Sequence, residues 1–166
     1  MDFSKIKKKK NFNLNIDEHL HIVQVGRLLI SQKGQDVLLN ALSIFKNKYQ
    51  IPFKCDIIGG GNDLERLKQL AIRLDISEVI TFLDNKPRAW IYDNLKNYHI
   101  LVQPSRFEGF GLTVVEGLAA RLPVISSNIE GPKEILDNCT YGFNFDSENH
   151  IDLADKIYDS YCLYVN

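Results

Sequence analysis

The sequence predicts one open, doubly wound α/β domain built around a parallel sheet of about six strands. Short apolar segments alternate with segments of helical periodicity along most of the chain, and glycine-rich turns follow several of the apolar segments. Such alternation is typical of repeated strand–helix units, in which helices cover both faces of a parallel sheet. With 166 residues, of which 45% are apolar, the chain is long enough to bury the core of one such domain.

The strands are predicted where short apolar runs end at a turn signal. In chain order they are His21–Val25, Phe53–Ile58, Val79–Phe82, Ile100–Gln103, Val124–Ser126 and Tyr141–Phe145. The carboxyl ends of parallel strands meet at one edge of the sheet, and ligands of open α/β sheets bind there. The residues that follow each strand are therefore the candidates for a functional site.

The helices are predicted where apolar residues recur at spacings of three and four residues. They cover Asp36–Lys48, Leu64–Leu74, Arg88–Leu95, a segment that ends at about Ala120, Lys133–Leu136, and Ile151 to about Tyr164. Asn62 or Asp63 is expected to cap the second of these, because both side chains can accept from the free amides at a helix N-terminus.

Composition and charge narrow the classes of function. The formal net charge of −1 gives no electrostatic reason to expect nucleic acid or an anionic membrane as the main partner. No apolar run approaches the roughly 20 residues that span a bilayer, and the N-terminus lacks the apolar core of a signal peptide. Cys55, Cys139 and Cys162 have neither metal-site nor disulfide-framework spacing, so we expect buried, inert thiols in a cytoplasmic protein.

A basic run, Lys5–Lys10, precedes the first predicted strand. One interpretation of these lysines is a patch that contacts anionic lipid or phosphate. No amphipathic apolar segment accompanies them, however, so a solvated linker is the favoured interpretation.

The first candidate cluster follows the first strand and contains Gly26, Arg27, Lys33 and Gly34. Glycine lets the backbone come close to a ligand, Arg27 can bind phosphate oxygens with two nitrogens, and Lys33 adds a second cation. Taken alone, the segment is better explained as an ordinary surface loop with exposed charges.

The second cluster is Gly59-Gly60-Gly61, after the second strand. It is similar to the dinucleotide-binding pattern Gly-x-Gly-x-x-Gly, but Asp63-Leu64 occupy the place of the third glycine, and the turn does not follow the first strand. It is therefore a weak signal for a nicotinamide site, although it adds a flexible turn to the same edge of the sheet.

The third cluster contains two glutamates, Glu108 and Glu116, on either side of a glycine-rich turn. The amides of Gly109–Leu112 are predicted to form the open first turn of a helix, which binds anions through its free N–H groups. Glu116 can accept from a ribose diol, and Glu108 can reach the hydroxyls of a sugar. Ordinary surface charges would not explain Gly117 and the turn glycines, because glycine inside a helix costs up to about 1 kcal/mol relative to alanine.

Together these segments resemble the C-terminal, donor-binding domain of retaining GT-B glycosyltransferases of glycosyltransferase family 4. The motifs stand in the family's order between Ile22 and Leu136: Val25-Gly26-Arg27-Leu28 with Lys33-Gly34, the glycine turn Ile58–Gly61, the two-glutamate stretch Pro104–Val124, and Gly131–Ile135. Each motif alone is weak, whereas the ordered set is specific. The resemblance implies a Rossmann-like domain that forms one half of a two-domain enzyme.

The resemblance implies a role for each matching charged residue. Arg27 and Lys33 hold the diphosphate of a nucleotide sugar and offset the charge of the leaving group, so no metal cofactor is expected. Glu108 orients the transferred sugar, and Glu116 accepts from the ribose hydroxyls.

The remaining donor contacts are implied in the same way. They are expected from Gly26, Gly59, Phe82, Gly109, Phe110, Gly111 and Leu112. The base is expected near Phe82–Lys86, where Asp84 replaces a glycine that is frequent in the family. That departure leaves the identity of the base open.

The implied activity is transfer of a hexose from a nucleotide diphosphate sugar, with a UDP-sugar favoured, to a glycan or lipid-linked acceptor. Lipopolysaccharide or capsular polysaccharide synthesis is the family's common setting, and it permits peripheral association of the full-length enzyme with the inner face of the membrane. Two alternatives stay open. A nicotinamide-binding Rossmann domain predicts a complete glycine fingerprint, which Gly26-Arg27-Leu28 lacks; a non-catalytic nucleotide-binding module predicts loss of Arg27, Lys33 or a glutamate, and all are present.

Residues 1–18 resemble an interdomain linker, and residues 19–166 resemble the donor-binding domain. We therefore expect Met1 to be a start placed inside a longer protein, and the C-terminus stops within helical patterning. Such a domain is expected to bind the donor but to transfer little sugar, because the acceptor-binding domain is absent.

Overall fold

The computed structural model describes residues 2–14, 18–137 and 142–165. Its strands are β1 (Leu20–Val25), β2 (Phe53–Ile58), β3 (Ile80–Leu83), β4 (Ile100–Gln103), β5 (Val124–Ser127) and β6 (Gly142–Phe145). They form one sheet in the order β3-β2-β1-β4-β5-β6, and every neighbouring pair is parallel. The predicted doubly wound α/β sheet is confirmed.

Helices connect these strands. They are α1 (Ile30–Lys33), α2 (Gln35–Tyr49), α3 (Leu64–Arg73), α4 (Arg88–Asn94), α5 (Leu112–Ala119), α6 (Pro132–Leu136) and α7 (His150–Cys162). The sequence does not predict α1, because its four residues are too few for a periodic pattern to appear. Within the described residues, no helix has both the length and the apolar character that a membrane span needs.

Asp63 and Val79 differ from their local predictions. Asp63 precedes α3, but its side chain does not cap that helix. Its Oδ2 instead accepts from the amide of Ile30, 2.8 Å away, because that amide begins α1 and has no partner within the helix. Val79 belongs to a 3-10 turn that precedes β3. Tyr141, predicted to begin the sixth strand, lies outside the described residues.

The predicted burial of the cysteines is confirmed for Cys55 but not for Cys162. Cys55 is buried, and this burial raises the pKa of its thiol, as expected for an inert side chain. Cys162 is only partly buried because it lies in the last turn of α7. Cys139 lies outside the described residues.

Helices cover both faces of the sheet, as predicted. Successive residues of a strand point to opposite faces, and β1 to β5 each contribute side chains to two cores. On one face, Leu20 and Ile22 of β1 lie in a core that includes side chains of α2, α3 and α7. On the other face, Val23 lies in a second core with side chains of α4, α5 and α6.

The segment with the basic run packs against the second core. Ile6 is 3% exposed and Lys9 is 7% exposed. The amide of Lys7 donates to the Tyr92 carbonyl at 3.0 Å, and the amide of Lys9 donates to the Ala120 carbonyl at 2.9 Å. The favoured interpretation of a solvated run is therefore wrong for Ile6 and Lys9, because these hydrogen bonds hold the segment against α4 and α5.

The strand order places two loops at a crevice on the carboxyl edge of the sheet. The chain moves outward from β1 to β2 and β3 and then returns to β4, on the other side of β1. The loops after β1 and β4 consequently leave in opposite directions, and open α/β sheets bind their ligands at such a point. The first loop leads into α1, and the second leads into α5.

Candidate functional site

Lys33 and Glu108 form an ion pair at the crevice between β1 and β4. Lys33 Nζ lies 2.7 Å from Glu108 Oε2, although 75 positions separate the two residues. The side chains are 21% and 17% exposed, so the pair is sheltered but still accessible to a ligand. The structure therefore brings two of the three predicted catalytic residues into contact.

Glu108 is oriented by polar side chains at the end of β4. Its Oε2 accepts from Gln103 Nε2 and from Ser105 Oγ, each at 3.3 Å, in addition to Lys33. Gln103 Nε2 also donates to Ser105 Oγ at 2.9 Å, and both residues are buried. Sequence reasoning missed these two residues; a glutamine at the end of an otherwise apolar strand was the available signal.

Lys33 is positioned by the short helix α1. Gly34 ends that helix in the left-handed conformation, with φ of 63°, which glycine adopts without the strain that a side chain would add. A Cβ atom at Gly34 would lie 2.0 Å from the carbonyl oxygen of Pro104. Glycine at this position therefore lets α1 approach the loop after β4, and this approach brings Lys33 to Glu108.

Arg106 ties the loop after β4 to the helices that follow β1. Its terminal nitrogens lie 2.8 Å and 3.0 Å from the two carboxylate oxygens of Asp36, and it also donates to the Ile30 carbonyl and to Glu148, each at 2.8 Å. Its backbone amide donates to the Gln32 carbonyl at 2.8 Å. A bidentate guanidinium–carboxylate pair has a fixed geometry, so Arg106 fixes the relative position of the two segments that carry the ion pair. Sequence reasoning missed it because its partners are distant in the chain.

Arg27, the third predicted catalytic residue, does not join the ion pair. Its side chain is exposed and forms no ion pair with any described residue. Its carbonyl accepts from Nε2 of the buried Gln35 at 2.8 Å. The backbone of Arg27 is therefore fixed by α2, while its guanidinium is available to an anionic ligand.

Gly26 and Gly59 lie against each other in the turns after β1 and β2. A Cβ atom at Gly59, where φ is 148°, would lie 2.0 Å from the carbonyl oxygen of Gly26. A Cβ atom at Gly26 would lie 3.1 Å from Gln24 Nε2 and 3.8 Å from Lys33 Cδ. The close neighbours of both glycines are thus protein atoms, and the absence of side chains lets the two turns meet.

Glu116 lies on α5 and is buried, with its side chain only 4% exposed. Burial raises the pKa of its carboxyl group, and the positive charge of Arg88 opposes this rise. Arg88 NH1 lies 3.4 Å from Glu116 Oε1, but the atoms are not aligned as a hydrogen bond, and Oε1 has no hydrogen-bond partner among the described residues. The predicted ribose acceptor is therefore a buried carboxylate with an unused acceptor atom.

The glycine-rich turn differs from the predicted open helical turn. Helix α5 begins at Leu112, and Gly111 precedes it in the left-handed conformation, with φ of 85°. Gly109 and Phe110 therefore lie before the helix, because a right-handed helix cannot include a residue of that conformation. Gly131 approaches this turn so closely that a Cβ atom would lie 2.2 Å from the Gly109 carbonyl oxygen, whereas a Cβ atom at Gly109 has no neighbour within 4 Å.

Gly117 and Phe82 have packing roles, whereas Phe110 is open to solvent. A Cβ atom at Gly117 would lie 2.8 Å from Val124 Cγ2 and 3.1 Å from Leu101 Cδ1, so glycine lets α5 pack closely on the sheet. Close packing on the sheet thus explains Gly117, which ordinary surface charges did not. Phe82 is half-buried against the core that contains α2 and α3, and Phe110 is 61% exposed.

A cleft of about 480 Å³ lies beside the ion pair. Its lining includes Lys33, Arg106, Phe107, Glu108, Gly109 and Glu130. A cleft of about 600 Å³, lined by Lys7–Lys10 and Lys96 among others, lies away from these residues. Cations, a carboxylate and open backbone together suit a ligand that carries both phosphates and hydroxyls. In the described part of the chain, no group of three His, Cys, Asp or Glu side chains is arranged to hold a metal ion.

Comparison with known sequences identifies relatives of the whole domain. A family model described as glycosyl transferases group 1 matches residues 5–160. An uncharacterized glycosyltransferase of Methanocaldococcus jannaschii is 31% identical over 128 residues, which cover 77% of this chain and 34% of the relative. The chain thus spans about a third of the length of the curated relatives that it matches.

Solved structures share the fold. The C-terminal domain of a glycosyl transferase group 1 family protein from Francisella tularensis has a TM-score of 0.81 at 23% identity, with coverage of 99% of this chain and 91% of that one. An Anabaena protein in complex with UDP and glucose has a TM-score of 0.80 at 21% identity, covering 96% and 45%. A lipopolysaccharide outer core galactosyltransferase has a TM-score of 0.80 at 22% identity, covering 96% and 46%.

Family and fold agree with the resemblance that the sequence motifs indicate. The family model extends over nearly the whole chain, and the Francisella domain matches it from end to end as a single unit. The chain therefore belongs to the glycosyl transferases group 1 family and has the fold of the C-terminal domain of a GT-B glycosyltransferase.

Proposed function

We propose that this domain binds the nucleotide diphosphate sugar donor of a retaining glycosyltransferase, with a UDP-hexose favoured. The observation that carries the proposal is the Lys33–Glu108 ion pair, whose Nζ and Oε2 atoms are 2.7 Å apart at the crevice between β1 and β4. A cation next to a carboxylate suits a ligand in which a diphosphate adjoins a sugar, because the two groups need opposite charges from the protein.

Arg27 and Lys33 bind the diphosphate in this proposal. When the bond between the anomeric carbon and the β-phosphate oxygen breaks, its electron pair stays on that oxygen, and negative charge increases on the nucleotide diphosphate. Two fixed cations stabilise that charge more in the transition state than in the ground state, and this difference accelerates the reaction. Arg27 is exposed and Lys33 is partly exposed, so both are accessible to a ligand from solvent.

Glu108 and Glu116 bind hydroxyls of the donor. Once the diphosphate binds the Lys33 ammonium, the Glu108 carboxylate accepts from hydroxyls of the transferred hexose. Hydrogen bonds from Gln103 and Ser105 keep the Glu108 carboxylate oriented. Glu116 accepts from the ribose, and its unused Oε1 atom supports this role. The open backbone at Gly109 leaves room for the phosphates and the sugar on the same side.

Two structural neighbours support the classes of donor and acceptor. The Anabaena neighbour binds UDP and glucose, which supports a UDP-hexose as donor. Another neighbour is a lipopolysaccharide outer core galactosyltransferase, which supports a glycan or lipid-linked acceptor in lipopolysaccharide or capsular polysaccharide synthesis. A second domain binds that acceptor, and the full-length enzyme works in the cytoplasm, at the inner face of the membrane when the acceptor is lipid-linked.

Calorimetric titration of the domain with UDP, GDP, ADP and NAD tests the proposal. We expect UDP to bind most tightly, in line with the Anabaena neighbour that binds UDP. The diphosphate that UDP shares with GDP and ADP is expected to engage Arg27 and Lys33. Tighter binding of NAD would favour a nicotinamide-binding domain and overturn the proposal. Sugar transfer by this domain alone is expected to be small, and rapid turnover without an acceptor-binding domain would contradict the assigned division of roles.

A further inference from the structure

The exposed guanidinium of Arg88, at the start of α4, lies beside the buried carboxyl group of Glu116 on α5. The Arg88 side chain is 48% exposed, the Glu116 side chain is 4% exposed, and NH1 lies 3.4 Å from Oε1. Sequence reasoning gave Arg88 no function beyond the beginning of a helix. In the structure it lies beside Glu116, the predicted ribose acceptor.

Arg88 is placed by the loop between β3 and α4. Pro87 precedes α4, and Arg88 is the first residue of the helix. The Asn85 side chain accepts from the amide of Gly60 at 2.9 Å, which attaches this loop to the glycine turn after β2. This hydrogen bond therefore fixes the loop, and the backbone of Arg88 that follows it, relative to the carboxyl edge of the sheet.

Glu116 needs a positive charge nearby because burial removes most of its hydration. Desolvation raises the pKa of its carboxyl group, and Arg88 is the one charged group of the described residues that acts against this rise. Oε1 has no hydrogen-bond partner among those residues. A buried acceptor that makes no hydrogen bond is unfavourable, and a ligand hydroxyl would remove that penalty.

We propose that Arg88 is a positioning residue for the nucleoside half of the donor: its guanidinium, 3.4 Å from Oε1, holds Glu116 in the charged form in which Oε1 accepts from a ribose hydroxyl. This inference rests on the proposed function, since it assumes that a nucleotide binds at this edge of the sheet. The Arg88 side chain is half-exposed and therefore has room to shift when the ribose binds, while the hydrogen bond from Gly60 to Asn85 keeps the loop attached.

Calorimetry with two nucleotides distinguishes this role of Arg88 from a general attraction to anionic ligands and from an effect on the stability of the domain. The Arg88→Ala variant is expected to bind UDP about tenfold more weakly than the unmodified chain, which is about 1.4 kcal/mol. The same variant should bind 2′,3′-dideoxy-UDP as well as the unmodified chain does, because this ligand has no hydroxyl for Glu116. Arg88→Lys keeps the positive charge, so it should bind UDP more tightly than Arg88→Ala does. Glu116→Gln should also bind UDP more weakly than the unmodified chain but bind 2′,3′-dideoxy-UDP equally well. Arg73→Ala removes an exposed arginine at the end of α3 and serves as the matched control.

The dependence on pH adds a readout that a merely structural residue would not change. Arg88 opposes the rise in the pKa of Glu116, so Glu116 takes up a proton at a higher pH without it. As pH falls, the loss of UDP affinity should therefore begin at a higher pH for Arg88→Ala than for the unmodified chain. Thermal unfolding of each variant establishes that it is folded, and Arg88→Lys replaces Arg88→Ala in the comparison with the two nucleotides if the alanine variant is not.

The outcomes distinguish this inference from the function on which it rests. Equal losses for UDP and 2′,3′-dideoxy-UDP would overturn the positioning role while UDP binding stands. Tighter UDP binding by Arg88→Ala would also overturn it, because Arg88 would then compete with the ribose for Glu116. If the unmodified chain bound no UDP, the proposed function would fail, and the inference would fail with it.

Discussion

Lys33 Nζ and Glu108 Oε2 are 2.7 Å apart, although Lys33 follows β1 and Glu108 follows β4, 75 positions later. Each residue therefore neutralises the other. A donor diphosphate would compete for the Lys33 ammonium, and the Glu108 carboxylate would then be available to the hydroxyls of the sugar. In the proposed function, the pair would thus link binding of the diphosphate to binding of the sugar.

Removing either proposed phosphate-binding cation should weaken binding of the diphosphate selectively. Lys33→Ala and Arg27→Ala are each expected to weaken UDP binding about 10- to 100-fold, because each removes charge-assisted hydrogen bonds to phosphate oxygens. The affinity for uridine should stay unchanged, since uridine has no phosphate. Calorimetric titration with both ligands measures the difference.

Lys68→Ala provides the control for these charge deletions, because Lys68 is an exposed lysine of α3. It should leave the affinity for UDP unchanged. Equal losses for UDP and uridine in either test variant would exclude that residue from the phosphate site.

Arg106 should contribute more to stability than an ordinary surface arginine does. Arg106→Ala removes both hydrogen bonds to the Asp36 carboxylate and one of the two donors to the Ile30 carbonyl, which keeps the amide of Gly34. We expect a loss of about 2 kcal/mol in the free energy of unfolding. Arg66, whose side chain is 74% exposed, pairs with Asp63, and Arg66→Ala should cost less than about 1 kcal/mol. Urea unfolding of both variants tests this contrast, and losses of similar size would show that Arg106 does not fix the loop.

Two glycines at the same turn should respond differently to alanine. Gly131 has φ of 83°, and its Cβ would lie 2.2 Å from the Gly109 carbonyl oxygen, so Gly131→Ala should destabilise the domain by about 1–3 kcal/mol. Gly109 has space for a Cβ, so Gly109→Ala should change stability by less than about 0.5 kcal/mol. If the donor contacts Gly109, the added methyl group weakens UDP-sugar binding. A destabilised Gly109→Ala variant would contradict this description of the turn.

His99 should make the domain sensitive to acid. Burial, with smaller effects from Lys9 and His21, lowers the pKa of His99 from 6.5 to about 4, and its Nδ1 accepts from the amide of His21 at 2.9 Å. The unfolded chain binds a proton at the ordinary pKa and the folded domain does not, so this residue lowers stability as pH falls from about 6.5 to about 4.

Urea unfolding between about pH 7 and pH 5 measures that dependence. His99→Gln should reduce the slope of unfolding free energy against pH, because the substituted side chain does not titrate. His150→Gln, at the start of α7, provides a control for the substitution of a histidine by glutamine. The same slope in His99→Gln and the unmodified chain would mean that another group causes the acid sensitivity.

Much of the fold follows from local sequence patterns. β1 reads as a nearly continuous apolar run because Ile22 and Val23 are buried on opposite faces of the sheet, as expected for a central parallel strand. Patterns of this kind located the strands and most helices. They missed α1, which is too short to show periodicity, and the burial of Ile6, which is an isolated apolar residue among lysines.

The sequence by itself determined the family resemblance and the chemical groups at the carboxyl edge: Arg27 and Lys33 after β1, and two glutamates around a glycine turn. Only the tertiary structure decided that Lys33 pairs with Glu108 and that Glu116 is buried beside Arg88. It also assigned Gly117 to helix–sheet packing. Local patterns reflect the conformational preferences of neighbouring residues, whereas contacts between segments 75 positions apart depend on how the sheet brings its strand ends together.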